Sequence, residues 1–413
     1  MLELIIMTYF IFVGLSWTLT MNFFLLIFLF NLLMIYDSGV YMLKMVMILL
    51  SIWLMMMMFF SVDYFEEKFM LSFMFMLLFY FLMMVFYSES MIMFYIGFEV
   101  SVIPVLLIIY GWGFQPDRLE AGFYMILYTI FFSFPLLVGV YIYEYQLMKK
   151  IILMFLLAFL VKFPLFGIHL WLPRAHVEAP VFGSMILAGV MLKLGGYGLI
   201  KISFLDGDKI FFYSEWLVIY SMMGGLILSF ICFMQSDMKV LIAYSSIVHM
   251  SLILSGLLTF FYFGLIGSIF MMVGHGLCSS GLFCILGFSY FRSHSRSIFI
   301  NQGFLQILPI CTFWWFLFCM GNLSFPPSLN LAGEIFLLTS LVSWNLSFFL
   351  VLLIIMFSFF SSLYSIYLFS FSQHGFMKKM FTQNFFFLKE SLVMFLHWVP
   401  LNFLILDLSL FFY

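Results

Sequence analysis

Ile151-Ile-Leu-Met-Phe-Leu-Leu-Ala-Phe-Leu-Val161-Lys162-Phe163-Pro164-Leu-Phe-Gly167 decides the class of this chain. The run from Ile151 to Val161 holds no polar side chain, then a lysine and a proline interrupt it and a glycine follows. Proline removes a backbone donor and clashes with the preceding turn, so a helix through this stretch must break. Non-helical backbone at membrane depth survives only where protein or a water-filled cavity satisfies it. A charge at that depth costs roughly 2.5–3.5 kcal/mol on insertion scales. Glu99 and Lys193 also lie inside apolar stretches, flanked by Phe98 and Val100 and by Leu192 and Leu194. Intramembrane ionisable groups of this kind point to proton or ion relays.

Composition agrees. The chain has 413 residues, 66% hydrophobic and 8% charged, whereas a soluble domain carries about 25% charged residues. No soluble fold could dress its surface with so few. The net charge of −2 excludes a nucleic-acid reading and a polybasic membrane-surface reading. The five cysteines, Cys232, Cys278, Cys284, Cys311 and Cys319, form no CxxC pair, so they read as packed helix thiols rather than disulfide, zinc or iron–sulfur ligands. The start, Met1-Leu-Glu-Leu-Ile-Ile, has neither a basic signal-peptide region nor an Arg/Ser-rich transit pattern. The first apolar run therefore reads as a retained span.

Apolar runs divided by short polar turns place candidate spans at 1–18, 20–36, 38–60, 69–87, 90–110, 118–143, 150–168, 180–202, 211–233, 239–259, 261–290, 303–322, 330–345, 347–371 and 391–412. A second break, Gly321-Asn-Leu-Ser-Phe-Pro326-Pro327-Ser-Leu-Asn-Leu-Ala-Gly333-Glu334, joins 303–322 and 330–345 as halves of one helix. The expected fold is an all-α polytopic membrane protein of about 14 helices. Paired interrupted helices in corresponding halves are the signature of inverted repeats. The expected division of this single transmembrane domain, 1–413, is N-terminal helices at 1–60, repeats of five helices at 69–202 and 211–371, and a C-terminal helix at 391–412. The polar stretches Ser61–Lys68, Tyr143–Lys150, Arg292–Gln302 and Gln373–Glu390 are too short to fold as domains. Gly195-Gly196-Tyr197-Gly198 and Gly274-His275-Gly276 lie in apolar helices and read as close helix contacts, not nucleotide loops.

Six residues are candidates for proton transfer: Glu99, Lys162, Lys193, His249, His275 and Glu334. Glu99 needs a partner of opposite sign, and Lys162 is the natural one. Burial and a nearby carboxylate act on a lysine in opposite senses, so moving one partner switches its charge. A static ion pair, or a lysine snorkelling to the interface, is the bland alternative. Lys193 is too deep to snorkel. His249 and His275 occupy the middles of consecutive spans, where imidazole passes protons near neutral pH; a hydrogen-bonded core histidine is the other reading. Ser245, Ser246, Ser279 and Ser280 stand near enough in sequence to hold waters between them. Glu334 closes the series beside the second break. No carboxylate–histidine grouping has metal-ligand spacing.

At His169-Leu-Trp-Leu-Pro173-Arg-Ala-His176-Val-Glu178-Ala-Pro180 the chain resembles the antiporter-like membrane subunits of respiratory complex I, NADH:ubiquinone oxidoreductase, a family related to cation/proton antiporters. Gly111–Leu119, Val161–Leu165, Leu192–Tyr197, Gln235–Lys239, Ala243–Met250 and Gly274–Gly276 extend the likeness over nearly the whole chain. Glu334 stands where the subunit 2 and subunit 5 types generally carry lysine, and no long lateral helix follows the last span, which sets the chain apart from both. The resemblance implies a proton-pumping module of the inner mitochondrial membrane. Glu99 and Lys162 would form the switchable pair, Lys193 the central relay continued by His249 and His275, and Glu334 the link to the exit or a neighbouring module. No cofactor is expected in this chain. NADH, FMN, iron–sulfur clusters and ubiquinone would belong to other subunits. Expected partners are the other membrane subunits, above all the subunit 2 and subunit 5 paralogues, with accessory subunits and lipids such as cardiolipin. A stand-alone cation/proton antiporter and a non-pumping structural subunit are the competing functions.

Overall fold

The computed structural model describes residues 17–37, 42–62, 68–144, 152–375 and 385–411. Among these residues the only pairing of strand type is one bridge between Asp237 and Ser297. In lipid each backbone N–H and C=O must be satisfied within its own segment, and a helix does this for an apolar run of any composition. The helices are α1 (Trp17–Asp37), α2 (Met42–Ser61), α3 (Lys68–Tyr87), α4 (Met91–Val100), α5 (Val102–Trp112), α6 (Arg118–Glu144), α7 (Ile152–Lys162), α8 (Trp171–Glu178) and α9 (Val181–Ile186). A π-helical turn, Leu187–Met191, leads into α10 (Leu192–Phe233). Then come α11 (Met238–Leu258), α12 (Tyr262–Ser293), the short α13 (Phe304–Ile307), α14 (Pro309–Asn322), α15 (Leu329–Trp344), α16 (Phe348–Gln373) and α17 (Leu388–Phe403), which runs into a 3-10 turn, Leu404–Phe411.

Ten helical stretches among the described residues are long and apolar enough to cross a membrane. With α1 and the two interrupted helices they account for each crossing expected from residue 20 onward; the candidate at 1–18 lies almost wholly outside the described residues. The spans expected at 180–202 and 211–233 appear as Val181–Phe204 and Tyr213–Phe233. The backbone between them is helical rather than the loop the polar residues suggested. The span at 90–110 is nicked at Ser101, between α4 and α5. Pro104 explains the nick, since it has no N–H for the carbonyl of Val100.

Both expected breaks are present. The helix stops at Lys162 and resumes at Trp171, and it stops at Asn322 and resumes at Leu329. The backbone closes them alike, with Leu165 N donating to Leu160 O at 3.1 Å and Phe325 N to Met320 O at 3.0 Å. In each, a side chain at the start of the second half caps a carbonyl left over from the first. Trp171 Nε1 donates to Val161 O at 3.2 Å, and Asn330 Nδ2 to Gly321 O at 2.8 Å. The freed carbonyls thus face protein, as an interrupted membrane helix requires.

The middle of the bundle is the most enclosed part: the span window of Val181–Phe204 is 94% buried and that of Tyr262–Ser293 fully so. Glycines make this possible. A Cβ on Gly195 would lie 2.8 Å from Phe163 N, one on Gly276 3.1 Å from Gly189 O, and one on Gly274 2.2 Å from Asn330 Oδ1. The close helix contacts expected at both glycine clusters are therefore real, and they bring α10 against the first break and α12 against the second. All five cysteines are buried and none forms a disulfide.

Candidate functional site

The six ionisable residues fall into two groups. The first joins α4 and α7. Lys162 is the last residue of α7, where the break frees it from a continuing helix, and its Nζ lies 3.9 Å from Glu99 Oε1. The ammonium also donates to the carbonyl of Phe98 and sits 3.2 Å from the centroid of the Phe98 ring. Lys162 is buried, Glu99 slightly less so, and Oε1 of Glu99 accepts no hydrogen bond. The pair is therefore attractive but not locked: the ammonium is held by neutral groups of α4, and the carboxylate stands just beyond hydrogen-bond range.

The second group joins α10, α11, α12, α15 and α16. Lys193 is completely buried, its Nζ donating to Ala188 O at 2.5 Å and lying 3.0 Å from His275 Nδ1. Ala188 belongs to the π-helical turn. Such a turn shifts the hydrogen-bond ladder by one residue, and the lysine side chain reaches back five residues to a carbonyl displaced by that shift. The ring of His275 stands 5.5 Å from that of His249, centroid to centroid, at an interplanar angle of 49°. His249 Nε2 lies 3.0 Å from the hydroxyl of Tyr364 on α16, and His249 Nδ1 lies 3.8 Å from Glu334 Oε1.

The spatial order is thus Lys193, His275, His249, Glu334. Chain order had suggested His249 before His275; the contacts instead set His275 beside Lys193 and His249 beside Glu334. The serines do not bridge these groups directly, because Ser245, Ser246, Ser279 and Ser280 each donate to a carbonyl of their own helix, as short hydroxyl side chains in helices commonly do. Glu334 lies in the second turn of α15, past the break rather than in it. Aligning the two breaks on their matching backbone closures sets Asn322, not Glu334, opposite Lys162.

No direct contact links the two groups. Beside Lys162 lies a cavity of about 20 Å³, lined also by Thr129, Trp171, Val105 and, from the π turn that precedes Lys193, Leu187 and Met191. A cavity of this size holds roughly one water. Its walls are mainly apolar, so any link from Lys162 to Lys193 is narrow.

Sequence reasoning missed Tyr364. Its phenol is fully buried and lies 3.0 Å from His249 Nε2, a contact in which either group can donate; when the hydroxyl donates, the ring proton sits on Nδ1, facing Glu334. The signal was present, a tyrosine among Ser361, Ser362 and Ser365 in the middle of a membrane-length run, but 22 tyrosines in the chain hide it. Among the described residues no group of three His, Cys, Asp or Glu side chains is placed to hold a metal ion.

Residues 88–361 match a family described as NADH:quinone oxidoreductase/Mrp antiporter, transmembrane. The NADH-ubiquinone oxidoreductase chain 4 of Ceratitis capitata is 50% identical over 340 residues, 78% of this chain and 75% of that protein. The chain 4 of Aedes aegypti is 49% identical over 332 residues, 76% of this chain and 73% of that one. In fold, the chain is similar to one in respiratory complex I from Thermus thermophilus, with a TM-score of 0.87 at 20% identity over 99% of this chain and 95% of the other. A chain of the Mrp complex from Dietzia has the same fold at a TM-score of 0.79 and 15% identity, over 91% of this chain and 79% of the other.

Proposed function

The chain belongs to the NADH:quinone oxidoreductase/Mrp antiporter transmembrane family, and from that membership we propose that it is a chain 4-type membrane subunit of respiratory complex I in the inner mitochondrial membrane. It moves protons through its midplane while other subunits oxidise NADH and reduce ubiquinone. NADH, FMN, iron–sulfur clusters and ubiquinone belong to those subunits, and the subunit 2 and subunit 5 paralogues are its neighbours in the membrane. The half-identity to two insect chain 4 proteins supports this over a stand-alone antiporter.

The observation that carries the mechanism is the contact series Lys193–His275–His249–Glu334, every member on a different helix. Lys193 and His275 share a hydrogen bond in which either can be donor or acceptor, so a proton can sit on one or the other. His275 passes it to His249, whose Nδ1 faces the carboxylate of Glu334. Glu99 and Lys162 act as the gate. While Glu99 is ionised it offsets the charge of Lys162; when Glu99 is neutralised, the uncompensated ammonium at the one-water cavity favours release of the proton from Lys193. The matched capping of the two breaks supports reading 69–202 and 211–371 as repeats.

Replacing Glu334 tests this. Glu334→Gln keeps the shape but gives His249 an amide that cannot take up a proton. In the assembled complex it should lower proton translocation per NADH oxidised, with Glu334→Asp partly restoring it. Unchanged translocation in Glu334→Gln would remove Glu334 from the path.

A further inference from the structure

Phe98 stands one residue before Glu99 and gives the Lys162 ammonium a carbonyl and an aromatic face. The fold makes both into a cation site. The carbonyl lies in the last turn of α4, where backbone acceptors run out of partners and the helix dipole is negative. Pro104 keeps the helix from continuing unbroken. α4 stops at Val100, and the hydroxyl of Ser101 turns back to donate to the same Phe98 carbonyl at 2.9 Å. The ring is held on two sides. It stacks on Phe94 with centroids 5.8 Å apart at 29°, and meets Phe159 edge-on at 5.3 Å and 64°. Lys162 Nζ lies over the Phe98 face, 3.2 Å from the centroid. A desolvated ammonium over such a face is attracted by the ring quadrupole, and Phe98 is completely buried. The same helix repeats the device one turn earlier, where Lys201 Nζ lies 4.7 Å from the centroid of Phe94 and donates to Ser88 O at 2.8 Å. Glu99, by contrast, is 3.9 Å from Lys162, and its Oε1 accepts no hydrogen bond.

We propose that Phe98 is a second station for the Lys162 ammonium: its carbonyl and ring hold the lysine in place, still charged, while Glu99 is protonated.

A buried ammonium partnered by Glu99 alone would lose its compensation when that carboxylate took a proton, and would release its own. The pair would pass from one neutral state to another, and no change of charge would reach Lys193. With Phe98 in place, Glu99 gains one proton from hydronium and Lys162 loses none. The pair then goes from neutral to singly positive beside the one-water cavity. Phe98 is a positioning residue: it touches the ammonium and takes no proton itself. The assignment rests on the gate reading above, and the test reads the contact apart from the gate.

The test uses the assembled complex. Phe98→Leu removes the aromatic face and keeps the carbonyl. Phe159→Leu disturbs the same ring cluster but leaves the face under Lys162 intact. Phe98→Leu should cut proton translocation per NADH oxidised several-fold, and Phe159→Leu should leave it near normal. Thermal stability gives a second readout that does not depend on translocation. Phe98→Leu should lower the melting temperature more in the otherwise unchanged chain than in one carrying Lys162→Met, where the contact is already gone; this is the coupling a double-mutant cycle isolates. Equal shifts in the two backgrounds would show that the ring only packs, and would overturn the station. Equal losses of translocation in Phe98→Leu and Phe159→Leu would do the same. Unequal shifts with normal translocation in Phe98→Leu would leave the contact but take it out of the gate, which also defeats the proposal. Failure of the gate reading itself is a different result, normal translocation in Glu99→Gln.

Discussion

The two buried lysines of the site, Lys162 and Lys193, are held by neutral groups more than by an opposite charge. Lys162 has a carbonyl and an aromatic face within contact, with its carboxylate partner at 3.9 Å; Lys193 has a carbonyl and an imidazole. Breaking a buried ion pair by removing one partner commonly costs about 3–5 kcal/mol. For Glu99→Gln we expect a loss in the lower part of that range, since Phe98 continues to hold the lysine. The variant should still assemble, at reduced yield, and translocate fewer protons per NADH; full translocation at full yield would make the pair dispensable. Tyr364→Phe removes only the hydroxyl against His249 Nε2. Leaving one buried polar group unsatisfied costs about 1–3 kcal/mol, and it removes the contact that orients the His249 ring beside Glu334. Assembly should be near normal and NADH-driven translocation slower, a split that equal rates would refute. Sequence made the six ionisable residues legible because charge in an apolar run is conspicuous. Tyr364 was not, because a tyrosine beside aromatics looks the same in sequence whether it packs or conducts.

At the scale of helices, proline, glycine and one π turn do the positioning. Pro104 nicks the helix just after Glu99, the first break ends α7 on Lys162, and the π turn re-aims Lys193. The proline breaks were readable from residues 162–167 and 321–334, as was the identity of most spans. The π turn was not, for Leu187-Ala-Gly-Val-Met191 carries no local signal and the shift arises from packing. Nor was the helical nature of α8, which falls outside the spans expected at 150–168 and 180–202 and carries a proline and charges; Trp171 capping α7 joins it to the first half of the broken helix. Gly195 is the contact that ties these features together. A Cβ there would meet Phe163 N at 2.8 Å and Phe159 O at 3.1 Å, which are backbone atoms that cannot move aside. Overpacking of this kind costs typically 1–3 kcal/mol, so Gly195→Ala should lower the thermal stability of the assembled complex. Gly111→Ala, where nothing lies within 4 Å of the added carbon, is the matched control and should not. Equal stability of the two variants would show that α7 and α10 approach less closely than described.

Across the whole molecule, the path we propose is lateral: buried titratable groups on separate helices pass protons from the Glu99–Lys162 gate at one end to Glu334 at the other. The alternative is that the same charges only hold the bundle together. Lys193 divides the two, because it is central, completely buried and joined to the rest through His275. Lys193→Ala deletes the charge. Lys193→Arg keeps a charge that cannot be given up, since guanidinium does not deprotonate in proteins. A structural charge tolerates arginine far better than alanine; a relay tolerates neither. The decisive measurement is protons translocated per NADH oxidised by the assembled complex carrying each variant. We predict a large loss in both, with the arginine variant assembled. Wild-type translocation with arginine, together with failure of the alanine variant to assemble, would contradict the relay.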